Sequence, residues 1–380
     1  MIRRRLIAGC LLALALRVGA VDNTLRDFDP GPSGTAGPVS EGLYVAPERD
    51  AEPAEPDSAT GSSTGPATST ATPHAAVGAR VGAAIAALPV PGPGVPSLLR
   101  ADMDAKRAEL DVERRWPAAA RASDGVVRDR IVVAYYGHPN SRRMGALGET
   151  DLPLMAEKLK ARAAEYDALA GAIGVAPAFH IIFATVHPDA TVGVIREAQL
   201  LEYIEFAAAN DIIVFLDHQI GAGTVRGAME QMLPYLRYPH VHLAFDPEWV
   251  TTRPGLEIGG VDASEINMAQ QMMQDYLIEH RLPGTRMLVV HQFNWRMIRN
   301  REQVRADFPR VDLIHHADGF GNPAQKVDSW RFNVLAGNIP LKGFKLFYPK
   351  SWRAGGYDDP LMSPADVLRL DPVPVYIQYQ

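Results

Sequence analysis

From residue 128 onward the chain alternates between short, β-branched apolar runs and stretches with helical spacing. The runs are RIVVAYYG (130–137), FHIIFATV (179–186), DIIVFLD (211–217), VHLAFD (241–246), RMLVVHQF (286–293), VDLIHH (311–316), GFKLFY (343–348) and VPVYIQY (373–379). Helix-like segments separate them, among them LPLMAEKLKARAAEYDALAGAIG, QLLEYIEFAAAN, ASEINMAQQMMQDYLIEH and SPADVLRL. Strands that are apolar almost throughout are buried on both faces, as in a parallel sheet covered by helices. Eight such strands with seven intervening helical segments predict an α/β fold, a (β/α)₈ TIM barrel of about 250 residues. The other parallel architecture, an open doubly wound sheet, is disfavoured because no glycine-rich phosphate loop follows the first strand. No helix follows the eighth strand, and the helix-like segment 96–116 is expected to fill that place.

The residues before the barrel have a different character. Arg3, Arg4 and Arg5 precede the apolar run LIAGCLLALAL, and VGA at 18–20 offers a small-x-small cleavage site. This pattern predicts a signal peptide over 1–20, with an apolar run too short for a transmembrane helix. IAGC resembles a lipobox, which makes Cys10 a candidate lipid anchor, although simple secretion is the favoured reading. Residues 21–97 are rich in Pro, Gly, Ser, Thr and Ala and are expected to form a disordered linker, because such a chain cannot bury enough apolar surface to offset its ordering entropy. A helical lead-in over 98–124 and the barrel over 125–380 complete the expected organisation. The expected location is therefore outside the cytoplasm, extracellular or attached to the cell envelope. Cys10 is the single cysteine, so no disulfide or thiolate metal site is available to the barrel. The net charge of −6 has no basic block, which argues against a nucleic-acid partner.

In a barrel of this kind, chemistry belongs at the C-terminal ends of the strands. Here those ends carry Tyr135, Tyr136 and His138 after the first strand, and Asp217, His218 and Gln219 after the third. Asp246, Glu248 and Trp249 follow the fourth, and His291, Gln292 and Trp295 the fifth. His315, His316 and Asp318 belong to the sixth, and Lys345, Tyr348 and Trp352 to the seventh. A lone strand-end aspartate is usually a helix cap, but five successive strand ends with charged or imidazole side chains converge on one bowl. Within FDPEW, Pro247 cannot donate to a ladder and biases Asp246 toward extended geometry. Asp246 and Glu248 are then expected on one face, ~6.6 Å apart along a strand rising ~3.3 Å per residue. Two carboxyls that close raise each other's proton affinity, so one stays protonated beside a charged partner.

A barrel whose fourth strand closes on Asp246-x-Glu248 resembles the glycoside hydrolase family 25 lysozymes and, more loosely, the family 18 chitinase-like barrels. More broadly, residues 130–380 resemble exported bacterial barrel proteins. The glycosidase resemblance implies that Glu248 is the general acid, with Asp246 and Asp217 as partner carboxylates and no cofactor. Its implied substrate is a cell-wall or extracellular polysaccharide, held by Tyr135, Tyr136, His138, His218, Gln219, Trp249, His291, Gln292, Trp295, His315, Asp318, Lys345, Tyr348 and Trp352. Three other readings remain open from the residues themselves. One is a metal-dependent hydrolase that binds a divalent ion through Asp217, His218, His291 and His315. Another is a Schiff-base enzyme using Lys345. The third is a non-catalytic glycan-binding barrel.

Overall fold

The structure, a computed structural model, describes residues 97–349 and 356–380. The predicted signal peptide, Cys10, most of the linker and Trp352 lie outside the described residues. Eight strands form the barrel: β1 (Arg130–Gly137), β2 (Gly174–Val186), β3 (Ile213–His218), β4 (Val241–Phe245), β5 (Arg286–Gln292), β6 (Val311–Ala317), β7 (Leu341–Leu346) and β8 (Tyr376–Tyr379). Each pairs in parallel with the next, and β1 closes the ring by pairing with both β2 (Ile131↔Val175) and β8 (Val132↔Tyr376). A short strand, Val192–Val194, runs antiparallel along the end of β2.

Helices cover the outer face. Between the strands lie α4 (Leu152–Ala170), α5 (Glu197–Ala209), α6 (Val225–Met232), α7 (Ala263–Glu279), α8 (Pro323–Val334) and α9 (Pro364–Leu368). Helix α4 shows why these segments form where they do. The Asp151 carboxylate accepts from the Leu154 N–H at its start, and Met155, Leu159, Ala163, Tyr166 and Ala170 make one buried stripe at intervals of three and four. Among the described residues six helices are found where seven helical segments were expected. The β5–β6 connection instead holds two 3₁₀ turns, Trp295–Met297 and Arg301–Gln303.

Before the barrel run α1 (Ser97–Leu110), α2 (Val112–Arg115) and α3 (Ala118–Arg121). They pack beside α4 and α9, where the Arg107 Nε donates to the Ala168 carbonyl. The Arg115 guanidinium donates to the Leu368 and Leu370 carbonyls. Trp116 is buried and donates to the carbonyls of Val127 and Arg128 ahead of β1. Ser123 Oγ donates to Asp312 Oδ2 at the start of β6, 2.7 Å away, so the lead-in also ties across the N-terminal end of the barrel. Among the described residues no helix is long and apolar enough to cross a membrane.

Candidate active site

Ring contacts, three of them between non-adjacent strands, identify the side chains that fill the lumen. His180 on β2 and His291 on β5 lie 5.7 Å apart, centroid to centroid, and Phe215 on β3 lies 5.1 Å from Tyr376 on β8. His316 on β6 stands edge-on to both His291 (4.9 Å) and Tyr376 (5.1 Å), and Tyr136 on β1 contacts His180 at 5.2 Å. Asp217 joins this set from β3. Its Oδ2 lies 3.1 Å from His180 Nε2 and 3.5 Å from His291 Nε2. The far nitrogens of both rings are also engaged. His180 Nδ1 meets the Tyr376 hydroxyl at 2.6 Å, and His291 Nδ1 meets Asp318 Oδ2 at 3.0 Å. Asp318 Oδ1 in turn pairs with Lys345 Nζ at 2.8 Å, and that ammonium lies over the Tyr136 ring. A continuous polar chain thus runs Tyr376–His180–Asp217–His291–Asp318–Lys345 through the lumen.

Burial and these partners separate the acids into two classes. Burial alone would raise Asp217, but His180 and His291 outweigh it and hold the carboxyl below its usual range. Asp318 is likewise kept ionised against burial by Lys345 and His291. His291 is pushed up because Asp318 and Asp217 together overcome its burial, whereas burial pulls His180 down to about 4. At the mouth the balance reverses. Burial, with Asp318 and Asp217 as like charges, raises Asp246 to about 6. Glu248, half-buried, is pushed well up by burial and then by Asp246 and Asp318. Two carboxyls of raised proton affinity therefore stand side by side at the rim.

The local backbone differs from the expected extension. β4 stops at Phe245, and Pro247–Trp249 is a 3₁₀ turn capped by Asp246, whose Oδ1 accepts from the Glu248 N–H at 3.0 Å. Proline suits the first turn of a helix as well as a strand end, and the capping bond decides between them. Asp246 thus both caps the turn and faces the site.

The period of two along each strand sorts the predicted residues. Tyr136, Asp217, Asp246, His291, Asp318 and Lys345 come together at the lumen. Gln219 reaches Tyr136 and also accepts from the Val186 N–H. Neighbouring positions point to the helices. His218 packs on Phe183 and bonds the Gln219 carbonyl. His315 Nε2 bonds Gln292 Oε1 and its Nδ1 lies 3.3 Å from Lys342 Nζ, on the wall under α8. Tyr135 and Tyr348 share a hydroxyl contact and cluster with Tyr379 beneath α4. His218, Gln292, His315, Tyr135 and Tyr348 are therefore outside the lumen. The metal set expected from the sequence does not assemble, because His218 and His315 are each one residue out of phase with Asp217 and His291. His138 is half-buried and accepts from the Asn140 N–H in the turn after β1. Trp249 is half-buried at the mouth, and Trp295 is 52% exposed there.

Two lumen residues, His180 and Tyr376, were not among the expected site residues, and of the two histidines at the end of the sixth strand it is His316, not His315, that faces the lumen. The available signal was polarity in the middle of a run buried on both faces: a fully buried imidazole or phenol must be paired or must face a lumen.

No family model matches the chain, and no curated protein sequence does so. Several solved structures are similar at low identity, three of them as follows. A Group IV chitinase of Ostrinia furnacalis has a TM-score of 0.36 and 12% identity, covering 58% of this chain and 67% of the chitinase. An oxaloacetate acetylhydrolase in complex with oxalate has a TM-score of 0.40 and 12% identity over 71% of this chain and 80% of that one. A spore cortex-lytic enzyme of Bacillus cereus has a TM-score of 0.33 and 14% identity over 67% and 62%. Likeness at this level does not bear on the activity of the chain.

Proposed function

We propose that the barrel hydrolyses glycosidic bonds of a cell-wall or extracellular polysaccharide, with Glu248 as general acid and Asp246 as its partner carboxylate. The observation that carries this reading is the rim pair, in which Asp246 is pinned by its bond to the Glu248 N–H and burial raises both carboxyls, Asp246 to about 6 and Glu248 with the like charges of Asp246 and Asp318 added. A carboxyl of raised proton affinity beside a second carboxylate is the combination that glycoside cleavage uses. Asp217 lies deeper, between two imidazoles, and organises the lumen beneath the pair. The rings of Trp249 and Trp295 at the mouth supply flat faces for sugar C–H surfaces. The predicted export signal places such an activity outside the cytoplasm.

The test is turnover of a panel of soluble wall polysaccharides, read as new reducing ends. Glu248→Gln should lower kcat by at least ~100-fold, in line with the loss of a general acid, while glycan affinity is kept. A wild-type chain that binds glycans without cleaving any would favour the non-catalytic reading. A Glu248→Gln enzyme that turns over at the wild-type rate would remove Glu248 from the mechanism.

A further inference from the structure

We propose that the lumen beneath the acid pair binds one divalent first-row cation, of zinc type, through His180 Nε2, His291 Nε2 and the Asp217 carboxylate. The proposal does not rest on the glycosidic reading and holds for any substrate attacked in this bowl. Four observations carry it.

The first is spacing. Tetrahedral ligands at ~2.0–2.1 Å from a zinc ion stand about 3.3 Å from one another. The two imidazole nitrogens lie 3.1 and 3.5 Å from Asp217 Oδ2, and all three donor atoms fall within 4.8 Å of one another. The second is orientation. Both imidazole nitrogens approach the same oxygen, Asp217 Oδ2, while Asp217 Oδ1 has no hydrogen-bond partner among the described residues, and all three side chains are fully buried. Buried polar groups left this way are costly. Two imidazole nitrogens brought to one carboxylate oxygen from opposite walls are aimed at a shared point.

The third is the support behind the ligands. Metal-binding histidines hand their other ring N–H to a carboxylate or a similar acceptor, which fixes tautomer and plane. Here His291 Nδ1 meets Asp318, itself held by Lys345, and His180 Nδ1 meets the Tyr376 hydroxyl. Both imidazoles are thereby turned with Nε2 toward Asp217. The fourth is charge. Asp217, Asp246 and Asp318 face Lys345 as their cationic partner around the lumen, so a dication with neutral imidazoles brings the sum to zero.

His316 stands next to this point with neither ring nitrogen hydrogen-bonded among the described residues, and its ring is 4.9 Å from that of His291. Space for it comes from Gly343 on β7, where a Cβ would sit 2.4 Å from His316 Nδ1. Three protein donors leave a fourth position for water, the arrangement of a catalytic rather than a structural zinc site.

The experiment uses the full-length chain without a histidine tag, stripped with chelator and titrated with Co²⁺, whose visible spectrum reports four-coordinate geometry, and separately with Zn²⁺ followed by elemental analysis. One equivalent per chain is expected, with affinity reduced at least 100-fold in Asp217→Asn and in His291→Gln and unchanged in Glu248→Gln and in the outer-wall variant His315→Ala. Less than a tenth of an equivalent on the wild type, or undiminished binding in both ligand variants, would overturn the site. Should the ligand variants fail to fold, X-ray absorption of the zinc-loaded wild type decides. At least two imidazoles in the coordination sphere support the site, and fewer refute it. Loss of turnover in Glu248→Gln with the metal retained keeps this result separate from the glycosidic reading.

Discussion

Lys326 and Asp358 form a buried ion pair that holds two of the loops around the site, and breaking it should be costly. Lys326 on α8 is 1% exposed and Asp358 is fully buried, with Nζ and Oδ2 3.4 Å apart. The ammonium also donates to the carbonyls of Gly319 and Lys345. The carboxylate accepts from the N–H groups of Gly321 (3.1 Å) and Phe347 (2.9 Å). Burial pulls Lys326 down to about 8 and, against the pull of Lys326, raises Asp358. Lys326→Met fills the same volume but leaves one buried carboxylate without its cation and two carbonyls without their donor. Removal of one member of a buried pair costs about 3–5 kcal/mol, and the variant should lose stability on that scale in urea unfolding followed by fluorescence and circular dichroism. Lys326→Met with Asp358→Asn removes both charges and should regain about 2 kcal/mol relative to the sum of the single losses, the coupling expected of groups in one network. Gly319 follows Asp318, and Lys345 carries the ammonium that holds it, so turnover should fall in the single variant beyond its loss of folded fraction. A Lys326→Met chain within 1 kcal/mol of wild type would refute the reasoning, because it would mean that the pair is solvated or that the loops hold themselves.

Asp246→Asn should lower the proton affinity of Glu248, which Asp246 raises after burial has done so first. The alkaline limb of the kcat/KM profile should then move to lower pH, and an unmoved limb would sever the two carboxyls. Gly343→Ala places a methyl group 2.4 Å from His316 Nδ1, so the ring must shift, at a cost of about 1–3 kcal/mol typical of overpacking; an unchanged melting temperature would show that the ring has room. Asp312 is raised by burial to about 6. A carboxyl with a raised folded pKa binds its proton more tightly in the native state, so stability should decline as pH climbs from about 4 to about 6, by at most ~3 kcal/mol. Asp312→Asn, which can still accept from Ser123 Oγ, should flatten that decline, and an identical pH–stability curve would place the titration elsewhere.

The barrel was legible because its evidence is repeated. Eight apolar runs of similar length, six of them followed by a polar strand end, leave few topologies, and the observed strands overlap the expected ones throughout. The convergence of Asp217, Asp246, His291, Asp318 and Lys345 was legible for the same reason. What could not be read was the phase of adjacent polar residues. In LDHQ, VHQF and IHHA, two neighbours of similar chemistry differ only in which face of the strand they take, and a one-residue error exchanges lumen for wall. His316 and His315 show this most sharply, since one ring stands beside His291 and the other is bonded to Gln292 under α8. The Asp246–Glu248 geometry failed for a different reason. Proline is compatible with both a strand end and a first helical turn, and the deciding bond from the Glu248 N–H to Asp246 Oδ1 is a contact that no spacing reveals.

The polar groups of the wall and those of the lumen are buried alike but satisfied differently. On the wall, Lys342 Nζ donates to the carbonyls of Asn333 (2.7 Å) and Ala336 (2.9 Å) at the end of α8 and meets His315 Nδ1. His315 uses its other nitrogen on Gln292, whose Oε1 also accepts from Arg301. These groups return their desolvation cost as hydrogen bonds that fix a helix to a strand. In the lumen, where barrels of this fold pack layers of branched aliphatic side chains, the chain instead buries Asp217, His180, His291 and His316 and leaves Asp217 Oδ1 and both ring nitrogens of His316 without hydrogen-bond partners among the described residues. Charged groups buried this way cost several kcal/mol each unless something compensates them, and apolar residues at the same positions would make a more stable barrel. Stability therefore does not account for these side chains, whereas it does account for Lys342 and His315. The cation titration and the Glu248→Gln assay test separately whether the lumen set binds an ion and whether the rim pair turns over substrate.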